Sequence, residues 1–223
     1  MRSRSTLPFA KLGEYELLRL IATGGMSEVY EARRDGPHGF QKRFAVKRIL
    51  PQLAADERLN KMFCDEARVH SALSHPNLVQ VIDFGEHSGE LYMVLEYVDG
   101  PSVGRIMSAL TARGRVMPLA QALFIVRRVL DALEYAHTAR DQMTGLPLGV
   151  VHRDVAPSNI LVGGAGEVKL ADFGIVSSVI NDNRSNPGDI KGKLGYISPE
   201  QAMGFKVDPR SDLFSLAVVL SET

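Results

Sequence analysis

Lys47, Glu66, Asp154, Asn159 and Asp172 are the side chains best suited to chemistry, provided the fold brings them into range. The stretch VVHRDVAPSNILV, residues 150–162, packs His152, Arg153, Asp154 and Asn159 into a loop between two β-branched apolar runs, and Pro157 stiffens the chain between the acid and the amide. A carboxylate can accept a proton or bind a hard cation, an amide offers a neutral oxygen, and a lysine neutralises an anion. In TGGMSE, Thr23–Glu28, paired glycines would let the backbone lie close over a ligand. None of these features decides anything alone. Glycine-rich turns tip many hairpins, a strand lysine ordinarily snorkels at the surface, and a helical glutamate is ordinarily solvated. The tripeptide DFG occurs at both 83–85 and 172–174, and the first reads as a turn. A Walker-type GxxxxGK[ST] and an HExxH are both absent.

The elements that must position these residues change character along the chain. YELLRLIA, TGGMSE and VYEAR read as a glycine-tipped hairpin, and RFAVKRIL as a third strand carrying Lys47. ADERLNKMFCDEARVHSAL turns helical, with Leu59, Met62, Phe63, Ala67 and Leu73 at helical spacing and Glu66 beside that stripe. NLVQVIDFG and ELYMVLEYV then read as two more strands, which makes five strands and one helix. After DGPS, helices are expected over 102–111 and 119–138, the second with Leu119, Leu123, Val126, Leu130 and Leu133 recurring as its apolar face. Short strands follow at 150–151, 160–162 and 168–170. The stretch 177–195 reads as a long loop, and a last apolar helix begins near Asp212.

The order of the motifs gives them weight. A glycine-tipped hairpin, AVK, a helical glutamate, HRDxxxxN, DFG and SPE follow one another as a protein kinase domain requires. With each fixed residue type at about one in twenty by composition, such an ordered coincidence is negligible. From Tyr15 to Thr223 the chain resembles Hanks-type serine/threonine protein kinases, and TGGMSEVY, HRDVAPSN and YISPEQA resemble bacterial members. The resemblance implies an α+β, bilobal protein kinase fold: a five-stranded antiparallel sheet plus a helix in the N-lobe, and a mainly helical C-lobe that is incomplete at its C-terminus. It divides the chain into an extension over 1–14, an N-lobe and hinge over 15–98, and a truncated C-lobe over 99–223.

It also implies ATP and Mg²⁺, and roles for the residues. Lys47, paired with Glu66, would meet the α/β-phosphates, Asp172 and Asn159 would hold the metal, and Asp154 would be the catalytic base. The nucleotide loop would run through Ile21, Ala22, Thr23, Gly24, Gly25, Met26, Ser27 and Val29. Adenine would lie between Ile21, Val29 and Ala45 on one side and Leu161 on the other. The hinge would be Glu96–Val98, with Leu95 at the gatekeeper position. His152 and Phe173 are expected to pack rather than react.

Three departures from the family pattern sharpen these expectations. Ala22 and Ser27 replace two glycines of GxGxxG, which stiffens the loop slightly. Ala156 stands where serine/threonine kinases place a lysine that touches the γ-phosphate, and Lys193 is the expected substitute cation, the rival reading being a solvated loop lysine in a weak enzyme. The chain also stops at Thr223, short of the helices that complete the lower lobe. Leu213, Leu216 and Val219 are therefore expected to lose cover, Glu200 to lack its arginine, and the chain to be a fragment of a longer product. Arg153 marks kinases tuned by activation-loop phosphorylation, with Ser177, Ser178 and Ser185 as candidates and Asp189 as a built-in negative charge.

Composition narrows the classes further. The chain has 223 residues, 45% hydrophobic and 23% charged, the profile of an ordinary globular protein with a real core. Lys+Arg and Asp+Glu balance at 26 each, which argues against nucleic-acid or membrane-surface binding by bulk charge. One cysteine, Cys64, excludes an internal disulfide or a Cys-based zinc site. No apolar run reaches bilayer length and no signal-peptide core is present, so the expected location is cytoplasmic. The expected partner is a protein with a Ser/Thr hydroxyl, autophosphorylation in trans included, and no nucleic acid. The rivals are a nucleotide-binding pseudokinase or inactive fragment serving as a scaffold, and a kinase-fold enzyme acting on small molecules, which SPE disfavours.

Overall fold

The computed structural model describes residues 11–173 and 194–223, and these divide into two compact units. The first comprises the described residues up to Ala67 together with Val81–Tyr97, and the second comprises Arg68–Gln80 and the described residues from Val98.

The first unit is an antiparallel sheet of six strands: β1 (Lys11–Leu12), β2 (Tyr15–Thr23), β3 (Ser27–Asp35), β4 (Gln41–Ile49), β5 (Val81–His87) and β6 (Glu90–Glu96). Their order across the sheet is β1-β2-β3-β4-β6-β5. Five strands were expected; the sixth is the two-residue β1, which turns back onto β2 through Gly13 at φ +58°, a conformation that glycine adopts freely. The pleat sends alternate residues to opposite faces. One face buries Tyr15, Leu17, Tyr30, Ala32, Phe44, Val46 and Val94 as a single cluster. The opposite face carries Val29, Lys47 and Met93, paired across β3, β4 and β6, with Ala45 and Leu95 one pleat along.

Helix α1 (Glu57–Ser71) starts where Asp56 Oδ1 accepts from the Arg58 and Leu59 N–H groups. Phe63, 5.9 Å from Phe84 ring to ring, places α1 on the Lys47 face, because Phe84 pairs with Met93 and Met93 with Lys47. The first DFG is therefore no turn. Asp83, Phe84 and Gly85 lie inside β5 opposite Val94, Met93 and Tyr92, and the turn comes at Ser88–Gly89. A side chain at Gly85 would meet the Tyr92 ring, so this glycine serves strand pairing.

The second unit is helical around one core. It holds α2 (Val103–Thr111), α3 (Leu119–Thr138), the hairpin of β7 (Ile160–Val162) and β8 (Val168–Leu170), α4 (Pro199–Ala202) and α5 (Pro209–Glu222). Residues 150–151 are buried but pair with no strand. The face of α3 also differs from the expected one. Ala122, Ile125, Val129, Ala132, Leu133 and Ala136 are buried, whereas Leu119, Leu123 and Leu130 stay exposed. The three alanines fall on the covered side of the helix and the larger leucines on the exposed side. On α5, Leu216 and Val219 are fully covered, contrary to expectation, and Leu213 is exposed.

Candidate active site

The first unit contributes a buried ion pair. Lys47 Nζ donates to Glu66 Oε1 at 2.6 Å, with both side chains nearly inaccessible. Lys47 therefore does not snorkel and Glu66 is not solvated. Two charges taken out of water depend on close mutual geometry to offset their lost hydration. The tip between β2 and β3 is closed by Gly24 N–H donating to the Ser27 carbonyl at 2.8 Å, and Leu50 N–H donates to the Met26 carbonyl at 2.8 Å. Ile21, Ala22, Thr23, Gly24 and Gly25 are exposed, and Met26, Ser27 and Val29 are half-buried. Gly24 has no positive φ, and a Cβ there would come no nearer than 3.7 Å to another atom. Neither conformation nor internal packing demands a glycine at 24. Just after β6, Tyr97 is tied to the sheet by Arg19, which donates to its hydroxyl at 3.2 Å, and by the Arg43 guanidinium 4.7 Å over its ring.

The second unit contributes the loop between Val150 and β7. Asp212, in the first turn of α5 and fully buried, accepts from the backbone N–H of His152 at 2.8 Å and of Arg153 at 2.7 Å, and it contacts His137 Nε2 at 2.7 Å. Arg153 is thereby held at φ +67°, and Asp172 sits at φ +58°. Each left-handed non-glycine residue costs about 1–3 kcal/mol, which the surrounding bonds must offset. His152 is buried between the Asp154 N–H, which donates to Nδ1 at 3.3 Å, and the Ala171 carbonyl, 3.2 Å from Nε2. Burial pulls its imidazole below the ordinary value of 6.5, against the opposing carboxylates of Asp212, Asp154 and Asp172. Its ring lies 4.6 Å from Phe173, and Phe173 lies 4.9 Å from His70, so His152 and Phe173 do pack.

Asp154 and Asn159 are brought together. Asn159 Nδ2 donates to the Asp154 carbonyl at 2.8 Å and to its Oδ2 at 2.9 Å. The amide nitrogen is thus committed, and Oδ1, which accepts from Ser158 Oγ at 3.2 Å, faces elsewhere with a second lone pair. Ala171 N–H donates to the Asn159 carbonyl at 2.8 Å, which ties the chain entering Asp172 to Asn159. Among the described residues no cluster of three or more His, Cys, Asp or Glu could hold a metal.

Val98 and Leu161 also belong to this unit. Val162 N–H donates to the Pro101 carbonyl and Gly164 N–H to that of Asp99, and a Cβ at Gly100 would run into the Val162 carbonyl. Glu200 has a partner after all, the Ser211 hydroxyl, which holds its carboxyl below the usual range. The sequence reading missed Gln201, although S-x-x-Q at 198–201 announces a capping box. Lys193, Ser177, Ser178, Ser185 and Asp189 lie outside the described residues.

Residues 15–223 match the protein kinase domain family. This chain is a protein kinase domain. It is 38% identical to the tyrosine-protein kinase MasK of Myxococcus xanthus over 94% of this chain and 32% of that protein. It is 40% identical to the serine/threonine-protein kinase PknA of Mycobacterium tuberculosis over 93% of this chain and 46% of that protein. The domain thus spans less than half the length of either relative. Among solved structures, the kinase domain of PknI from Mycobacterium tuberculosis superposes with a TM-score of 0.70 at 30% identity, covering 97% of this chain and 76% of that one.

Proposed function

We propose that this kinase domain transfers the γ-phosphoryl group of Mg-ATP to a serine or threonine hydroxyl of a protein. The observation that carries the reading is the Asp154–Asn159 pair on a loop whose backbone Asp212 holds in a strained conformation. Asp154 accepts or orients the hydroxyl proton, and Asn159 Oδ1 and the Asp172 carboxylate are the oxygens offered to metal. Bound Mg²⁺ would neutralise charge on the phosphates. Lys47, aimed by Glu66, meets the α/β-phosphates, and Gly24 is a glycine whose freedom the fold itself does not use. Val29 and Ala45 share the sheet face of Lys47, which suits an adenine packed there with Ile21 and read by the backbone of Glu96. An open groove of about 610 Å³ beside Pro157, lined by Met107, Thr111 and Tyr196 among others, suits a protein substrate.

The test is ³²P transfer from ATP to a generic protein substrate by the wild type, Asp154→Asn and Lys193→Ala, followed by phosphoamino-acid analysis. Phosphoserine or phosphothreonine, lost in Asp154→Asn, is the expected result. Phosphotyrosine would move the specificity toward that named for MasK, and equal counts for wild type and Asp154→Asn would end the enzyme reading in favour of a nucleotide-binding scaffold. A lower kcat for Lys193→Ala would assign to that lysine the charge that Ala156 lacks.

A further inference from the structure

The peptide unit joining Arg153 to Asp154 is held at both ends. Its carbonyl oxygen accepts from Gln201 Nε2 at 2.9 Å, and its N–H donates to His152 Nδ1 at 3.3 Å. The preceding peptide unit is fixed through Arg153 N–H, which donates to Asp212 Oδ1 at 2.7 Å. Arg153 lies between these two planes at φ +67°, a conformation that a residue with a side chain keeps only when its surroundings impose it. Releasing either plane lets Arg153 relax, and the carboxylate of Asp154, next in the chain, turns with the released plane.

Gln201 is itself oriented by what it touches. Its Oε1 accepts from Ser198 N–H at 3.2 Å and from Ser198 Oγ at 3.0 Å, within the capping box that starts α4. A backbone N–H can only donate and a backbone carbonyl can only accept, so the amide has one orientation that satisfies both Ser198 and Arg153. Glutamate at this position could still serve Ser198, but it would set a carboxylate oxygen against the Arg153 carbonyl. Methionine would keep the length and lose both contacts.

We propose that Gln201 is a positioning residue: by fixing the Arg153 carbonyl it aims Asp154 and couples residues 198–201 to the catalytic loop. This rests on the kinase reading above. The experiment uses the full 223-residue chain as wild type, Gln201→Glu and Gln201→Met, with and without Asp154→Asn. Both single variants lower kcat for peptide phosphorylation by about 10- to 100-fold, the scale of a small misplacement of a reacting group. The KM for Mg-ATP stays within about twofold. By NMR, hydrogen exchange at the Asp154 amide quickens at least about tenfold while the amides of α3 keep their rates. On the Asp154→Asn background Gln201→Met removes nothing further, because the two residues act as a unit.

An unchanged kcat in Gln201→Met overturns the proposal. So does a loss of kcat accompanied by faster exchange throughout α3, which would make Gln201 merely structural. If the wild type transfers no phosphate, the kinase reading falls by itself, and the Asp154 amide then decides: tenfold faster exchange in Gln201→Met supports the positioning role, and unaltered exchange ends it.

Discussion

Lys47 and Glu66 show how burial changes what a residue type means. Exposed, such a pair contributes little; at 2.6 Å and out of water it depends on both partners. Lys47→Met is expected to reduce kcat at least about 100-fold, through loss of charge stabilisation at the phosphates. It should also lower the urea midpoint, because Glu66 is left buried without its cation; steady-state kinetics and urea unfolding check the two effects separately. His152 makes a prediction of a different kind. Burial lowers its folded-state pKa, so the folded form holds a neutral ring while the unfolded chain takes up a proton near 6.5. The stability it contributes is complete above that range and is lost as pH falls below it. Urea midpoints should fall from pH 7 to pH 5, and His152→Phe should flatten that slope.

At the scale of elements, α3 shows where periodicity misleads. Leu119, Leu123 and Leu130 repeat as regularly as the buried set, and hydrophobicity alone ranks them above Ala122, Ala132 and Ala136. The folded structure covers the small residues instead, since packing rewards complementary shape as well as apolar area. Leu133→Ala should therefore destabilise the domain by about 2–5 kcal/mol, whereas Leu123→Gln should stay within about 0.5 kcal/mol, both measured by urea unfolding. The first DFG carries the same lesson in a strand. Its glycine accommodates the Tyr92 ring across the sheet, a requirement set by a residue on the neighbouring strand.

At the scale of the molecule, each unit has its own buried cluster, the first built on Tyr15, Phe44 and Val46 and the second on Val129, Leu133 and Leu216. Stability is then distributed between two cores. Phe44→Ala should cost the first unit about 3–5 kcal/mol. Hydrogen exchange should quicken through β2 to β4 while α3 keeps its protection, and uniform quickening would show that the two cores unfold as one.

The order of motifs by itself determined the family, because Lys47, Glu66, Asp154, Asn159 and Asp172 must occur at workable separations for one chemistry and chance does not align them. Periodicity also sufficed for most elements, since β2 to β8 and α1 to α3 fall where it put them, whereas the caps Ser198 and Asp208 went unread and α5 starts at Pro209 rather than near Asp212. What the tertiary structure decided is whatever depends on contacts between distant residues. It chose the buried face of α3, placed the first DFG inside a strand, gave Glu200 the Ser211 hydroxyl and turned Gln201 toward the Arg153 carbonyl. A bond between residues 153 and 201 leaves no periodicity and no local propensity behind, so only folding the chain reveals it.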